Sequence, residues 1–485
     1  MHSKCMETTS YYSPRASLGL IAQQFKMMKL WSVVQESVVI PQKKVRYEPL
    51  DKLLDCLILI LAGGGGLVEI NTRVRNDPGL QRAFGRHECA EQSTISSTVN
   101  ACTQETVEQM RKAMAPQSLA ARLRGWATFK QIIQSHGQVM RRVRHDWLVL
   151  DVDMLGMVAG RQGEGVTKGY FSGGRNQRGR QLGRVLATDY DEIVAPRTAT
   201  FVDRLYNGKR QLESSLPGLI AAAEDTLKPD PTQSPENKVC RMDSAPPRRG
   251  VRGGTEANIN YLLQSNYQVL TKLHSWNRSQ KLVASVHVWQ PDPRNKSREV
   301  GKWPSEAARP VMAPRTATCG PLRGHLGAGP WVVLPHAFVK PTRQKWPFES
   351  GPSRGQGPLA IRTVSAKGNV HYDVLACSLS DQQLCACFKL DAVVGSPWPL
   401  LYAYDLRGGG LEAQNRCDRQ GLALGHGPAA QCGPFEGLGH FRNKRSFAAQ
   451  EMLVLLGQLA HNFLIWVCND LSRVSHRFAH YGLKR

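Results

Sequence analysis

Apolar residues recur at helical and strand periods along most of this chain, and their pattern predicts its main elements. Helical spacing predicts an amphipathic helix from Tyr47 to Gly63 and another from Leu212 to Leu227. The same spacing predicts a long apolar helix from Phe447 to Leu471. Shorter helices are expected over Leu67 to Arg75, Glu105 to Arg111 and Thr255 to Gln264.

Continuous apolar and β-branched runs predict the strands of a sheet. The run from Trp147 to Met154 predicts a buried strand, and Val185 to Thr188 predicts a returning one. A strand from Lys238 to Asp243, a helix, and a strand from Tyr267 to His274 imply parallel pairing. Strands are also expected over 281 to 289, 359 to 364 and 370 to 375. The predicted fold class is therefore α/β, with a mixed sheet flanked by helices.

Two carboxylates interrupt the first predicted strand. Asp151 and Asp153 lie two residues apart and project from the same face of a sheet. Burying two like charges is costly without a positive partner, and a divalent metal is the simplest such partner. The alternative is that one aspartate caps the strand end or accepts backbone hydrogen bonds. Asp243 ends a later parallel strand, where open α/β sheets bind ligands, or else it caps the following loop.

Charge indicates the class of partner. Among 485 residues, 63 Lys and Arg outnumber 39 Asp and Glu, which gives a formal net charge of +24. Such an excess favours nucleic acid over an anionic membrane, and a merely soluble basic protein is the alternative. The most apolar run, Leu53 to Ala62, is too short to span a bilayer and contains Asp55, so no membrane segment is predicted.

The cysteines and the N-terminal sequence point to a compartment. The twelve cysteines are mostly isolated, and no paired CxxC spacing favours a zinc site, so reduced thiols are expected. The N-terminal sequence lacks the pattern of a secretion signal. Both observations favour a cytoplasmic protein.

Two basic stretches are candidates for DNA contact. Short helices after Cys89 and from Glu105 to Arg111 are compatible with a helix-turn-helix, and a plain helical bundle packed on the next domain is the alternative. Gly169 to Arg184 is rich in Gly and Arg but lacks the order of a nucleotide-binding loop. It is either a solvated hairpin turn or a phosphate-contacting segment that uses Arg175, Arg178, Arg180 and Arg184.

Three blocks of the sequence together resemble the DDE transposases of bacterial insertion sequences. They are LVLDVDMLG from residue 148, CRMDS from 240 with TEANINYLLQSNYQVLTK from 255, and YDLRGGGLEAQNRCDRQGL from 404. AEQSTI near residue 90 and RSFAAQEMLVLLGQLAHNFLIW near residue 450 also look like that family. The resemblance covers roughly residues 45 to 475 with gaps. It implies a ribonuclease H-like core interrupted by a β-strand insertion before the catalytic glutamate.

The resemblance implies a metal-binding triad. Carried over by position, Asp153, Asp243 and Glu412 would hold two Mg²⁺ or Mn²⁺ ions, with Asp151 as a further candidate ligand. Asp153 is preferred over Asp151 because the first acid of the family lies just before the exit turn of the strand. Hard oxygen ligands suit these ions.

A basic and aromatic signature accompanies the third acid. Tyr404, Arg407, Glu412 and Arg419 approximate the Tyr-Arg-Glu-Lys signature of the family, in which the basic and aromatic residues hold a phosphate at the transposon end. The spacing from Arg407 to Glu412 is one residue longer than usual, and Arg419 stands where Lys is common. Leu155 stands where the family often has Thr.

Segments rich in Gly, Pro and Arg interrupt the matching blocks at residues 245 to 252, 304 to 358 and 425 to 440. These stretches are either surface insertions or, as a hypothesis, translated frameshifts in a decaying element. Family-like sequence in the other reading frames of the gene would support decay, and its absence would contradict it.

The implied activity is metal-dependent cleavage at transposon ends followed by strand transfer, on double-stranded inverted repeats and target DNA, by a homodimer in the bacterial cytoplasm. One alternative is a catalytically decayed DNA-binding protein, and another is a structure-specific nuclease. The expected division is a tail over 1 to 45, a helical DNA-binding region over 46 to 145, catalytic core over 146 to 275 and 401 to 475, a β-rich insertion over 276 to 400, and a basic tail over 476 to 485.

Overall fold

The structure of the protein is a computed structural model. It describes residues 12–43, 46–114, 147–171, 174–190, 197–227, 237–242, 253–273, 276–302, 358–365, 368–392, 396–406 and 444–474.

The N-terminal part is a helical bundle. Its apolar side chains form one core with the last helix of the chain. Leu18, Phe25 and Trp31 belong to this core, so the prediction of a tail over residues 1 to 45 is wrong from residue 17 onward. The helices are α1 (Ser17–Met27), α2 (Leu30–Ser37), α3 (Pro49–Leu61), α4 (Ile70–Arg73), α5 (Pro78–Ala83), α6 (Gln92–Ala101) and α7 (Gln104–Met114).

The rest of the described chain is built on one mixed sheet of ten strands. The strands are β1 (Trp147–Val158), β2 (Thr167–Phe171), β3 (Gly174–Asp189), β4 (Arg197–Tyr206), β5 (Asn237–Met242), β6 (Tyr267–Lys272), β7 (Gln290–Asp292), β8 (Asn295–Lys302), β9 (Leu359–Val364) and β10 (Val370–Cys377). Their order is β2-β3-β1-β5-β6-β10-β9-β8-β7, with β4 also paired to β3. β1, β5 and β6 are parallel, and the other pairs are antiparallel. The predicted α/β class with a mixed sheet is confirmed.

Strand β1 lies inside the sheet and is buried on both faces. Leu148, Leu150 and Val152 join the core formed with α8 (Leu212–Leu227), α9 (Glu256–Gln264) and α10 (Trp276–Val283). Val149 and Leu155 point to the opposite face, which is covered by α11 (Asp381–Phe388), α12 (Trp398–Asp405) and α13 (Phe447–Val474). This alternation places Asp151 and Asp153 on the face of α11 to α13.

The strands expected in a β-rich insertion continue this same sheet. β10 pairs with β6 and is followed by β9, β8 and β7. One expected strand, over 281 to 289, is wrong, because α10 occupies its first part. Ser279, Val283 and Val286 are buried three to four residues apart, which is a helical period.

Helix α13 joins the bundle to the sheet. Met452 and Phe463 lie in the core of the bundle, whereas Val454 packs against β-strand residues. Side chains of α13 also bond to the backbone of β4: the Asn462 amide accepts from the Thr200 N–H at 2.9 Å and donates to the Thr200 carbonyl at 2.8 Å. Among the helices that the structure describes, none has both the length and the apolarity of a membrane span.

Candidate functional site

The parallel pairing of β1 and β5 places side by side the two residues that precede predicted acidic ligands in the sequence. Their register runs from Trp147 opposite Asn237 to Val152 opposite Met242. In the sequence, Asp153 follows Val152 and Asp243 follows Met242. The sequence predicted that Asp153 lies just before the exit turn of the strand. This is wrong, because β1 continues to Val158 and Asp153 lies within it.

Asp151 has a buried cationic partner. Directly opposite it in the register is Arg241, and both side chains are fully buried. The guanidinium donates to both carboxylate oxygens, from Nε to Oδ1 at 2.5 Å and from Nη2 to Oδ2 at 2.8 Å. Arg241 supplies the positive charge that buried Asp151 requires, which removes the reason for expecting a metal ion at this carboxylate.

The remaining donors of Arg241 reach two other elements. Nη2 also donates to the hydroxyl of Tyr190 at 2.8 Å, and Nη1 donates to the carbonyl of Ala403, in the last turn of α12, at 2.6 Å. Burial alone would lower the pKa of Arg241, but the charge of Asp151 and the hydrogen bonds to Asp151 and Tyr190 raise it above its usual value. Burial raises the pKa of Tyr190 to about 12, so this hydroxyl is neutral at physiological pH.

Asp153 is also buried, with 7% of its surface exposed. Its Oδ1 accepts a hydrogen bond from the Met154 N–H at 2.7 Å. The register places it opposite Arg184 of β3, which is in turn opposite Asp203 of β4. Arg184 donates to both oxygens of Asp203, at 2.7 and 2.9 Å. A row of alternating charges therefore crosses the sheet on the face of α13.

The structure corrects the prediction that Arg180 and Arg184 contact DNA phosphates. Arg184 is buried in its pair with Asp203. Arg180 is fully buried and donates to the carbonyls of Glu164, Lys444 and Arg445 at 2.7, 3.0 and 2.9 Å. Both guanidinium groups hold the fold together. The stretch forms parts of the antiparallel strands β2 and β3, and because Arg180 and Arg184 are buried it is not simply a solvated turn.

Other predicted site residues lie partly or wholly outside the described chain. Arg178 is half-exposed on β3, and the side chain of Arg175 is not described. Asp243, Arg407, Glu412 and Arg419 lie outside the described residues, as do the Gly/Pro/Arg-rich interruptions apart from Pro358. Within the described ranges, no three His, Cys, Asp or Glu side chains group as a metal site requires. Asp153 is thus the only predicted triad member that the structure describes, and its hard oxygen donors suit Mg²⁺ or Mn²⁺.

Two further arginines hold the end of α12, close to the predicted signature residue Tyr404. Arg298 of β8 donates to both oxygens of Asp405, at 2.9 and 2.6 Å. The guanidinium of Arg294 lies 3.5 Å from the ring centroid of Tyr402. Sequence reasoning missed these contacts and Arg241. The signal for Arg241 was available, since an arginine inside a buried strand requires a buried acid.

Helices α6 and α7 lie in the predicted DNA-binding region and are joined by two residues, Cys102 and Thr103. Ile95, Val107 and Met110 pack into the core that includes α13, in agreement with the bundle alternative. Ser93, Ser97 and Asn100 on α6 are exposed. The seven cysteines whose side chains the structure describes are free thiols.

Comparison with known proteins finds structural similarity at low sequence identity. No family model matches the chain, and no curated protein matches it. A chain from the cryo-EM structure of the piggyBac transposase synaptic complex with hairpin DNA aligns with 97% of this chain and 81% of its own length, at 10% identity and a TM-score of 0.37.

Proposed function

We propose that this protein is a DNA transposase with a ribonuclease H-like core, which cuts DNA at the ends of a mobile element and joins them to target DNA. The observation that carries the proposal is the parallel register of β1 and β5, whose last pair is Val152 and Met242. In the sequence each of these two residues is followed by an aspartate, Asp153 and Asp243. Acids that directly follow a pair in parallel register suit a shared metal site.

The arrangement of the sheet gives further support. β4, β3 and β1 form an antiparallel unit, and β5 and β6 continue it in parallel to β1. Such a sheet, with acids on its first strand and after a later parallel strand, agrees with the core implied by the resemblance to insertion-sequence transposases. The net charge of +24 suits a polyanionic substrate.

In this proposal Asp153, Asp243 and Glu412 hold two Mg²⁺ or Mn²⁺ ions, which supply Lewis-acid stabilisation of the attacking and leaving oxygens. The carboxylates fix the ions, and Arg407 and Arg419 orient the phosphate by charge-assisted hydrogen bonds. Tyr404 contributes to the same phosphate site. We further propose that the protein acts as a homodimer that bridges two element ends in a bacterial cytoplasm.

Cleavage of duplex DNA taken from the flanks of the gene tests this function. The wild type should nick this DNA only when Mg²⁺ or Mn²⁺ is present and should then join it to a target plasmid. Asp153→Asn, Asp243→Asn and Glu412→Gln should each reduce cleavage by at least about 10³-fold, because metal positioning is lost, and leave the affinity for DNA within about threefold. Glu91→Gln, at an exposed ion pair of the bundle, is the matched control and should cut like the wild type.

The other outcomes select other functions. Metal-dependent cutting without strand joining would identify a nuclease. Binding of DNA without cutting by the wild type would identify a decayed, transposase-derived DNA-binding protein. Wild-type cutting by the Asp243→Asn or Glu412→Gln variant would show that the triad is wrongly assigned.

A further inference from the structure

We propose that a cavity at the junction of the helical bundle and the sheet binds a backbone phosphate of DNA. The cavity has a volume of about 490 Å³ and lies between α7, the end of β4, the start of α8 and the start of α13. None of its described lining residues is one of the three predicted acids. The identity of the nucleic acid as DNA rests on the proposed function, whereas the contacts that form the cavity do not.

The two acids that line this cavity already have a cationic partner. Glu451 is 5% exposed, forms an ion pair with Arg111 and accepts a hydrogen bond from the Leu205 N–H at 3.2 Å. Glu108 lies 3.4 Å from the same guanidinium. Both carboxylates are therefore held by Arg111, on the side of the cavity formed by α7 and α13.

Two further arginines line the cavity and have no carboxylate partner among the described residues. They are half-buried Arg204 of β4 and exposed Arg210, in the turn between β4 and α8. Together with Arg111 there are three arginines and two glutamates at this junction, which is a net charge of +1. A positive charge that is partly removed from water and lacks a counter-ion favours the binding of an anion.

Arg210 is held in place by groups that do not neutralise its charge. Its Nε donates to the Ser215 hydroxyl at 3.1 Å and its Nη2 donates to the Ser214 carbonyl at 2.6 Å. The guanidinium also lies 5.8 Å from the ring centroid of Tyr206. Because its orientation is already fixed, this side chain loses little conformational entropy when it binds an anion, and Nη1 has no partner among the described residues.

The other groups at the cavity are of the kinds that contact a DNA backbone. Burial raises the pKa of Tyr206 above its ordinary value of 10.0, so its hydroxyl keeps a proton that it can donate. The side-chain amides of Gln104 and Asn207 are exposed at the rim. Arginine, tyrosine and amide side chains are frequent donors to phosphate oxygens in protein–DNA contacts, which position the protein and read no sequence.

Loss of either arginine should weaken DNA binding in a way that does not depend on DNA sequence. We expect Arg204→Gln and Arg210→Gln each to reduce the affinity of the full chain by about threefold or more. The slope of log affinity against log salt concentration should become shallower by about 1. Fluorescence anisotropy without divalent metal measures both quantities, on duplex DNA from the flanks of the gene and on a duplex of unrelated sequence. Arg362→Gln, whose charge is paired with Glu299, is the control and should bind like the wild type.

An acid at the cavity should have the opposite effect. Glu108→Gln removes a negative charge beside the bound phosphate and should strengthen DNA binding by about twofold. Glu88→Gln makes the same change of charge at a carboxylate that is paired with Arg46 in the bundle. The two glutamates are similarly exposed, at 52% and 56%, so Glu88→Gln is a matched control and should leave the affinity unchanged.

Hydrogen-deuterium exchange locates the contact. Added DNA should slow the exchange of the amides at 206 to 210 in the wild type but not in the double variant Arg204→Gln/Arg210→Gln. Inorganic phosphate, which offers the same oxygens, is the second probe. Protection of these amides by inorganic phosphate and not by DNA would overturn the proposal, because the cavity would then take a free anion.

The remaining outcomes separate this site from the proposed function. If the wild type binds DNA and both arginine variants bind it with unchanged affinity and salt dependence, the phosphate site is overturned and the proposed cleavage activity is unaffected. If the wild type binds DNA without cutting it and both variants bind it less tightly, the phosphate site stands and the transposase function fails. Should Arg204→Gln fail to fold, exposed Arg210 still decides through Arg210→Gln.

Discussion

At the residue scale, the chain places arginines inside a sheet and pairs each with a defined partner. Arg241 and Arg184 occupy strand positions whose neighbours are buried on the opposite face, such as Cys240, Met242 and Val185. Neither side chain can reach solvent from there, so each requires an acid within the protein. Asp151 and Asp203 supply it.

Asp151→Asn is expected to destabilise the protein by about 3–5 kcal/mol, because Arg241 would remain buried without its counter-ion. The free energy of unfolding from urea titrations measures this loss. Arg75 and Glu91 form an exposed pair at 2.8 Å, and Glu91→Gln should cost less than about 1 kcal/mol. Equal losses for the two variants would contradict the structural role assigned to the buried pair.

Tyr190, which is hydrogen-bonded to Arg241, makes the free energy of unfolding depend on pH in the alkaline range. Its folded pKa of about 12 lies above the ordinary value of 10.0, so the folded state retains a proton that the unfolded state releases. The contribution of this hydroxyl to the free energy of unfolding is fully present below pH 10 and is lost as the pH rises toward 12. From pH 9 to 11, the wild type should lose about 1.4 kcal/mol more of its unfolding free energy than Tyr190→Phe does. Parallel losses in the two proteins would show that Tyr190 titrates normally.

The sequence alone predicted the acids better than the arginines. Asp151 and Asp153 interrupt an apolar run, which is a visible anomaly, and their burial is confirmed. Arg180 and Arg184 lie in a Gly/Arg-rich stretch where a phosphate contact and a buried hydrogen-bonding role require the same residue type. Only the hydrogen-bond partners distinguish these roles. The carbonyls of Lys444 and Arg445, which bind Arg180, lie far away in the chain. Asp203, which binds Arg184, lies on a strand whose register the sequence does not give.

At the element scale, helix α13 acts as a cover for an edge strand. β4 pairs with β3 on one side and has a register shift near Phe201. Gln458 donates to the carbonyls of Thr200 and Phe201 at 3.1 and 3.2 Å, and Asn462 bonds to both backbone groups of Thr200. Side-chain amides thus satisfy backbone groups that a further strand would otherwise bind.

Asn462→Leu should therefore cost about 2–4 kcal/mol of unfolding free energy, since it leaves a buried N–H and a buried carbonyl with fewer partners. Hydrogen exchange at the Thr200 amide should accelerate most. Ser214→Ala removes only a local hydrogen bond on the exposed start of α8 and should change stability by less than about 0.5 kcal/mol. Unchanged exchange at Thr200 would contradict the role given to Asn462.

Periodicity predicted the helices well because their apolar faces are long and regular. The predicted bounds of α8 are those observed, and α3 and α13 agree within a few residues. The tail assignment failed because α1 and α2 bury their apolar faces in a core that they share with α13, which lies more than 400 residues further along the chain. The strand expected over 281 to 289 failed because a short apolar run carries no period long enough to separate helix from strand.

At the scale of the whole molecule, the fold brings distant parts of the sequence to one sheet. Helix α13 ties the N-terminal bundle to β4, and the strands after residue 289 extend the sheet from β6. The sequence predicted the mixed sheet. It did not predict that β10, β9, β8 and β7 extend this sheet from β6, because that depends on long-range pairing that local patterns do not encode. The excess of 24 positive charges in the full sequence suits a DNA-binding protein.

The central claim is that Asp153, Asp243 and Glu412 meet around bound metal ions. Fe²⁺-directed cleavage of the polypeptide tests it most directly, because Fe²⁺ bound in place of Mg²⁺ reduces added hydrogen peroxide to hydroxide and a hydroxyl radical, which cuts the nearby main chain, while ascorbate returns the resulting Fe³⁺ to Fe²⁺. Peptide mapping should locate cuts close to residues 153, 243 and 412, and excess Mg²⁺ or the Asp153→Asn change should suppress all three together. Cuts at only one of these positions, or cuts that persist in Asp153→Asn, would contradict the account.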